Sequence, residues 1–468
     1  MSKPTADAAI DVDVVIVGGG PAGIAAARQL RNHQILLLEE TDRLGGRLKS
    51  EPRGRYWINL GGHLFPGEGS HTQEIIGDLG LRTIEIPGIK FALGFAGKLR
   101  RNKRVETYPL TLRLTLRERA SMVKVGLTIL RAVRGWHRAM KPRTGETEAQ
   151  RRDRVAQYLA DRTFRDLIGK PPERVDAIFR SAARRAASEI DEQSAGVGVS
   201  LFGAVWSGNK SSMALNLDGG SGRLGEAAAA DLGTAVSYHS RVVRIAPDGD
   251  TVLVDYVKGD QKSTIRARQV VMAVPAPVAH RVVEGLPADV HRVLGEVTYG
   301  PFLTMGVLTD ETGPMPYDDI YAMTTPDASF DMLFNHANPL RRGTRQPGGS
   351  LMVYSGGAPA AELMTKTDQE VAEIYLADLY RLFPRLREAV KETIVQRWEL
   401  GNVYRRSNMD FSPMLRYCQR TDTSIHFCGD WFAELGNMEI AAGSAIEAAA
   451  RVDRRLRCQR SSASSDAG

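Results

Sequence analysis

A chain of 468 residues is too long for one compact core, so two or more domains are expected. Its formal net charge of +7 is compatible with acidic substrates, a membrane surface or nucleic acid, but is too diffuse to choose among them. The three cysteines, Cys418, Cys428 and Cys458, have no metal-ligand spacing, so no metal site is expected, and their scarcity fits a reducing, cytoplasmic compartment. Residues 1–12 are polar and acidic, so no signal peptide is expected, and no apolar stretch is long enough to span a bilayer.

The first element is an apolar run, Val14-Val15-Ile16-Val17, with the length and β-branching of a buried strand. Gly18-Gly19-Gly20-Pro21-Ala22-Gly23 follows and supplies G-x-G-x-x-G, then an alanine-rich helix from Ile24. A second apolar run, residues 35–38, ends at Glu39-Glu40, about twenty residues after Gly18, where a ribose-binding acid is expected. In this pattern Gly18 allows the tight turn, Gly20 lets backbone approach a pyrophosphate, and Gly23 lets the helix pack on the strand. The helix N-terminus, with Ala22 in its first turn, offers unpaired N–H groups to the phosphates.

Thr41-Asp42-Arg43-Leu44-Gly45-Gly46-Arg47 adds a second glycine pair, and Asn59-Leu60-Gly61-Gly62-His63 a third glycine turn. Glu39, Arg43, Gly45, Gly46 and Arg47 resemble the L-E-A-x-x-R-x-G-G-R motif of the flavin-containing amine oxidase superfamily. That group includes amine oxidases, protoporphyrinogen oxidases and phytoene-desaturase-like enzymes. Residues 59–62 resemble its D-x-G-G turn, with Asn replacing Asp. The resemblance implies FAD, with the G-G-R segment around the pyrophosphate and ribityl chain and the later turn at the isoalloxazine. Thr41 stands where many amine oxidases carry a basic residue, so one cofactor contact is expected to be missing.

Residues 98–143 are strongly basic, with Lys98, Arg100, Arg101, Lys103, Arg104, Arg113 and others facing only Glu106 and Glu118. Residues 117–140 have helical periodicity, with Met122, Val125, Ile129, Val133 and Trp136 on one face and Arg117, Lys124, Arg131 and Arg138 on the other. The basic face reads as a solvated helix surface, or as a patch that rests on anionic lipid or steers an acidic substrate. No aromatic-interleaved motif accompanies it, so nucleic acid is not expected. Residues 144–193 read as helical, and residues 196–208, with Phe202 and Trp206, as core or cavity wall.

A helix after Asp218-Gly219-Gly220 and strands over residues 236–245, 251–258 and 265–274 follow. They resemble the family's return to the FAD domain, which would set Val242 at the adenine. Residues 290–400 mix strands with a helix over 368–383. Trp398 sits where family members often place a Trp beside the flavin. Tyr299-Gly300-Pro301-Phe302-Leu303-Thr304 aligns with the segment where amine oxidases carry a lysine, here Thr304. Gly429-Asp430-Trp431 and Gly436-Asn437-Met438-Glu439 resemble the C-terminal FAD motif. There Asp430 is expected at the phosphate–ribityl region, and backbone N–H near Met438 at the flavin ring.

The expected fold is α/β: a discontinuous Rossmann-like FAD-binding domain over residues 1–95, 215–285 and 405–460, and an α+β substrate-binding domain over 96–214 and 286–404. Residues 461–468 read as a disordered tail. Candidates near the flavin are His63, Leu64, Tyr299, Trp398, Trp431 and Asn437; none is assigned as catalytic. The missing lysine and the G-D-W form favour C–C desaturation or ring oxidation of an apolar small molecule. An amine oxidase, a flavin-dependent isomerase and a lipid-surface module remain as alternatives, and the oligomeric state is open.

Overall fold

The opening apolar run forms the Val12–Val17 strand inside a seven-stranded sheet. The computed structural model describes residues 11–87, 92–101, 105–206, 215–341 and 343–465. Lys103 and Arg104, the Ser207-Gly208 end of the apolar stretch, and residues 466–468 lie outside them. Val12–Val17 pairs in parallel with Ile35–Leu38 on one side and with Gln261–Met272 on the other. Ile425–Phe427 adds in parallel to the far edge of Gln261–Met272, bringing the two ends of the chain into one sheet. Val14, Val15 and Ile16 are fully buried, as expected for a strand covered on both faces, and each contributes about 1.5–3 kcal/mol through burial. The strands Ser240–Asp248 and Thr251–Lys258 extend this sheet as antiparallel hairpins.

The helix Pro21–Gln29 packs against the C-terminal helix Met438–Ser465. Both sides of the seam are small: Ala22, Ala25 and Ala26 from one and Ala441, Ala445 and Ala448 from the other are buried in the same cluster. The last helix continues to Ser465, so residues 461–465 of the expected tail are helical.

A second seven-stranded sheet has the order Val390–Tyr404, Thr298–Thr309, Gly349–Gly356, Met332–Asn335, Ala322–Thr324, Ala92–Phe95, Lys98–Arg100. The hairpin Ala92–Phe95/Lys98–Arg100 belongs to this sheet, so the expected division at residues 95 and 96 falls inside one antiparallel pair. A helical layer completes this half. Its main member is Leu116–Met140, started by a reciprocal capping box between Thr115 and Glu118. Met122, Val125, Ile129 and Val133 are buried, as the periodicity predicts. The apolar helix Ala195–Trp206 packs on it, with Gly198 against the Phe164 ring and Gly203 against the Trp136 ring.

A Cβ on Gly23 would lie 1.8 Å from the Gly18 carbonyl oxygen, so glycine alone permits this helix–turn contact. Gly77, inside the helix His71–Asp78, has open space where a Cβ would stand. Gly23→Ala is therefore expected to lower the thermal midpoint and the bound flavin, while Gly77→Ala is neutral or stabilising by up to about 1 kcal/mol. Equal thermal shifts for the two variants would contradict this account.

Candidate active site

The glycine turn is held by the acid at the end of the next strand. The Gly19 N–H donates to Glu39 Oε2 at 2.7 Å, and the Thr41 N–H and hydroxyl donate to Glu39 Oε1 at 2.9 and 2.7 Å. Thr41 thus orients the acid from the position where the family often carries a base. Glu40 faces solvent and pairs with Arg241 at 3.8 Å, so its carboxylate does not join the turn. The helix Pro21–Gln29 has no side-chain cap and no acidic residue in its first turn, and a Cβ on Gly20 would meet nothing within 4 Å. An uncapped helix start beside open space and a buried acid fits a dinucleotide's pyrophosphate and ribose.

The second glycine pair is pinned by Arg43. Its guanidinium donates to the carbonyls of Leu48 at 3.0 Å and Gly46 at 2.7 Å. Gly46 has φ +53°, and this conformation brings it against Gly20. Arg47 then crosses the molecule. It donates to Asp430 Oδ2 at 2.8 Å and to the Gly401 carbonyl at 3.1 Å, and its guanidinium lies 5.4 Å from the centre of the Tyr299 ring. The Tyr299 hydroxyl donates to Asp430 Oδ1 at 3.1 Å. Burial, and then the Asp430 charge, push the Tyr299 phenol well above its ordinary pKa, so it stays a donor. Asp430 is therefore engaged by Arg47 and Tyr299.

The turn at residues 59–62 is gripped from the second sheet. The Leu60 carbonyl accepts from Thr304 Oγ1 at 2.8 Å and from Trp398 Nε1 at 2.7 Å. Thr304 and Trp398 thus both lie against the turn at residues 59–62. A cation arrives beside them from elsewhere: Lys49 Nζ donates to Gln396 Oε1 at 2.7 Å, and Gln396 is the cross-strand partner of Thr304. Sequence reasoning missed Lys49 because it lies far from Thr304 along the chain.

His63 is buried, and its Nδ1 lies 3.0 Å from the Gly61 carbonyl oxygen. That contact requires a proton on Nδ1 and leaves Nε2 as a buried acceptor without a partner among the described residues. The His63 ring centre lies 4.5 Å from that of Phe334 and 4.7 Å from that of His336. Burial holds His63 down to about 4, and burial together with His63 holds His336 well below its ordinary value. Both rings are neutral near neutral pH.

The remaining candidates separate. Asn437 caps the last helix, its Oδ1 accepting from the Ile440 N–H at 3.0 Å. Met438 meets Pro21 and Leu48 in a small cleft, which brings this helix start to the first glycine turn. Glu439 receives the Thr72 N–H and hydroxyl at 3.0 and 2.8 Å and so caps the helix His71–Asp78. Val242 is buried at a register shift between Val242 and Arg244. Trp431 is a correction. Gly429, with φ +148°, turns the chain so that this indole is fully buried beside Phe411, Phe427 and Phe432, donating to the Val274 carbonyl at 3.2 Å. It belongs to the core, outside the flavin-facing set.

A cavity of about 250 Å³ opens in the helical half, lined by Leu93, Met122, Val123, Leu127, Ile178 and Phe179 among others. Its ionisable lining is Glu106, Tyr108 and Arg185. Val123 and Leu127 are exposed and mark its mouth, whereas Arg185 is half-buried, donating to the Leu201 carbonyl at 3.5 Å and within electrostatic reach of Tyr354. From there Tyr354 stacks on Phe334 at 5.8 Å, and Phe334 meets His63. A row of rings therefore runs from Tyr354 to the turn at residues 59–62. The cavity was not legible in the sequence, since its walls come from segments scattered between Ala92 and Thr324.

Removing the Arg47 side chain leaves a buried carboxylate with Tyr299 as its remaining side-chain partner among the described residues. Arg47→Ala is expected to lose flavin on gel filtration, while Tyr299→Phe, which removes one hydrogen bond worth about 1 kcal/mol, retains it. Full flavin retention by Arg47→Ala would contradict this arrangement. The neutral histidines set a pH dependence as well. Their folded pKa values lie below the unfolded value near 6.5, so their stabilisation is complete above that pH and is lost as pH falls toward 4. His336→Phe, whose ring suits the same cluster, is expected to move the acid-unfolding midpoint to lower pH; an unchanged midpoint would count against it.

The fold agrees with comparisons to known proteins. Over 81 residues the chain is 36% identical to putrescine oxidase from Kocuria rosea, covering 17% of each chain. Over 73 residues it is 36% identical to the 15-cis-phytoene desaturase of Narcissus pseudonarcissus, covering 15% of this chain and 13% of that one. The matched stretches thus span less than a fifth of these relatives' own length. The solved structure of cyclohexylamine oxidase from Brevibacterium oxydans shares the fold, with a TM-score of 0.72 at 19% identity, covering 96% of this chain and 100% of that one. A profile of flavin-containing amine oxidoreductases matches residues 21–453, nearly the whole chain. The chain therefore belongs to the flavin-containing amine oxidoreductase family, an FAD-dependent group of oxidoreductases.

Proposed function

We propose that this flavin-dependent oxidoreductase removes a hydride from a largely apolar substrate, by C–C desaturation or ring oxidation. The observation that carries the reading is the cavity's largely apolar lining. A hydrocarbon or ring system entering that cavity meets Met122, Ile178, Phe179 and Phe202. Thr304 in place of the amine oxidases' lysine supports the same choice.

FAD bound in this fold supplies the two-electron acceptor for the hydride. The chain's own groups hold it and aim the substrate. Gly18, Gly20, Ala22 and Gly23 are assigned to the pyrophosphate turn, Glu39 to a ribose, and Val242 to the adenine through its backbone. Gly45, Gly46, Arg47 and Asp430 would hold the middle of the cofactor, with Gly429 allowing close backbone approach. Gly61, Gly62, His63 and the helix start at Met438 lie toward the ring. Neutral His63 is a weak base, so its Nε2 serves as a hydrogen-bond acceptor that positions substrate. In a desaturation, the proton from the carbon next to the hydride donor leaves to solvent. The FAD-binding half comprises the glycine turns, the hairpins and the C-terminal helix; the second sheet and the helical layer make the substrate half.

A second reading, amine oxidation with release of hydrogen peroxide, is favoured by the names of the relatives and of the solved neighbours. Anaerobic mixing separates the two. An apolar polyene or partly saturated ring compound is expected to bleach the flavin band, and an amine panel to leave it intact and yield no peroxide in air. Bleaching by simple amines, with none by apolar compounds, would overturn the first reading.

A further inference from the structure

The large apolar side chains that stand exposed are concentrated on one segment. Among the described residues they are Leu110, Leu116, Val123, Leu127 and Met140, with Leu110 and Leu116 at 77% and 85% exposure. Leu116, Val123 and Leu127 fall on one line of the helix Leu116–Met140, opposite its buried row of Met122, Val125 and Ile129. Arg113, Arg117, Lys124, Arg131, Arg134 and Arg138 are all exposed around that line. None of these bases forms an ion pair with a described residue, although arginines elsewhere in the chain are extensively paired. An apolar ridge flanked by unpaired cations is the pattern of a helix that lies in the interface of an anionic bilayer.

The ridge is also the rim of the cavity. Val123 and Leu127 line its mouth, as does Pro109, the neighbour of exposed Leu110. No helix among the described residues is long and apolar enough to cross a membrane. We infer that residues 110–140 dock this protein on an anionic lipid surface, with the cavity mouth facing the bilayer, so that an apolar substrate passes from lipid into the cavity without crossing water. The charge carries the choice of occupant: a second copy of this chain would bring the same cations against these ones, whereas acidic headgroups neutralise them while the leucines enter the acyl boundary. The substrate's route rests on the apolar-substrate reading; the docking itself does not.

The test is co-sedimentation of the flavin-loaded protein with vesicles of phosphatidylcholine containing about a third phosphatidylglycerol, against phosphatidylcholine alone. Binding is expected to the anionic vesicles and to weaken with salt. Two surface variants, Leu110→Gln/Leu116→Gln and Arg117→Gln/Lys124→Gln/Arg131→Gln, are each expected to weaken partitioning about tenfold or more while flavin content and melting temperature stay unchanged. No binding to anionic vesicles at low salt, or binding untouched by both variants, would overturn the docking. Bleaching by a detergent-dispersed apolar substrate is read separately, so vesicle binding without bleaching would overturn only the substrate reading.

Discussion

The structure depends most on what Arg47 joins. This side chain leaves the second glycine turn and reaches Asp430, the Gly401 carbonyl and the Tyr299 ring, so one cation ties the first quarter of the chain to its last. The partners come from the paired strands Thr298–Thr309 and Val390–Tyr404 and from the turn at Asp430, so the clasp forms only when these distant segments come together. A charge pair of this kind is costly to break from one side, because the remaining charge is left in a poorly solvated place. It also sets the spacing between the first glycine turn and the start of the last helix, which meet at Pro21, Leu48 and Met438.

Around that clasp, polar and apolar environments are kept apart. The glycine turns, Glu39 and Arg43 form a layer of backbone and charge that suits phosphate and ribose. The turn at residues 59–62 closes this layer, and beyond it the surroundings become aromatic: His63, His336, Phe334, Tyr321 and Tyr354 pack together, and both imidazoles are held neutral by burial. A site with open glycine turns at one end and neutral rings at the other suits a cofactor that is anionic along its length and reacts at an uncharged ring. A separate apolar cavity lies beneath the helix Leu116–Met140.

Much of the cofactor half was legible in the sequence because its signals are local. A β-branched run, a glycine turn, an alanine helix and an acid occupy one contiguous stretch, and each dictates its own backbone. The helix over residues 116–140 was legible for the same reason, since its buried face repeats at helical spacing. What was not legible depends on contacts between distant segments. Trp431 reads as flavin-facing from its motif, but the Gly429 turn sends it into a ring of phenylalanines. Glu439 reads as part of a cofactor motif, yet its carboxylate caps another helix. The hairpin at residues 92–100 joins the second sheet because its partner strand, Ala322–Thr324, lies far along the chain. Lys49 beside Gln396, and the cavity itself, exist only once both sheets are in place.

The central claim is that three distant parts of this chain together form one FAD site. It is tested most directly by the visible spectrum of the purified protein, followed by titration of flavin-stripped protein with FAD and, separately, with FMN. The account predicts a yellow protein that releases FAD on denaturation and, once stripped, takes up FAD but not FMN, because the first glycine turn and Glu39 hold the adenylate half. A colourless protein that binds neither flavin, or one that binds FMN as well as FAD, would contradict it.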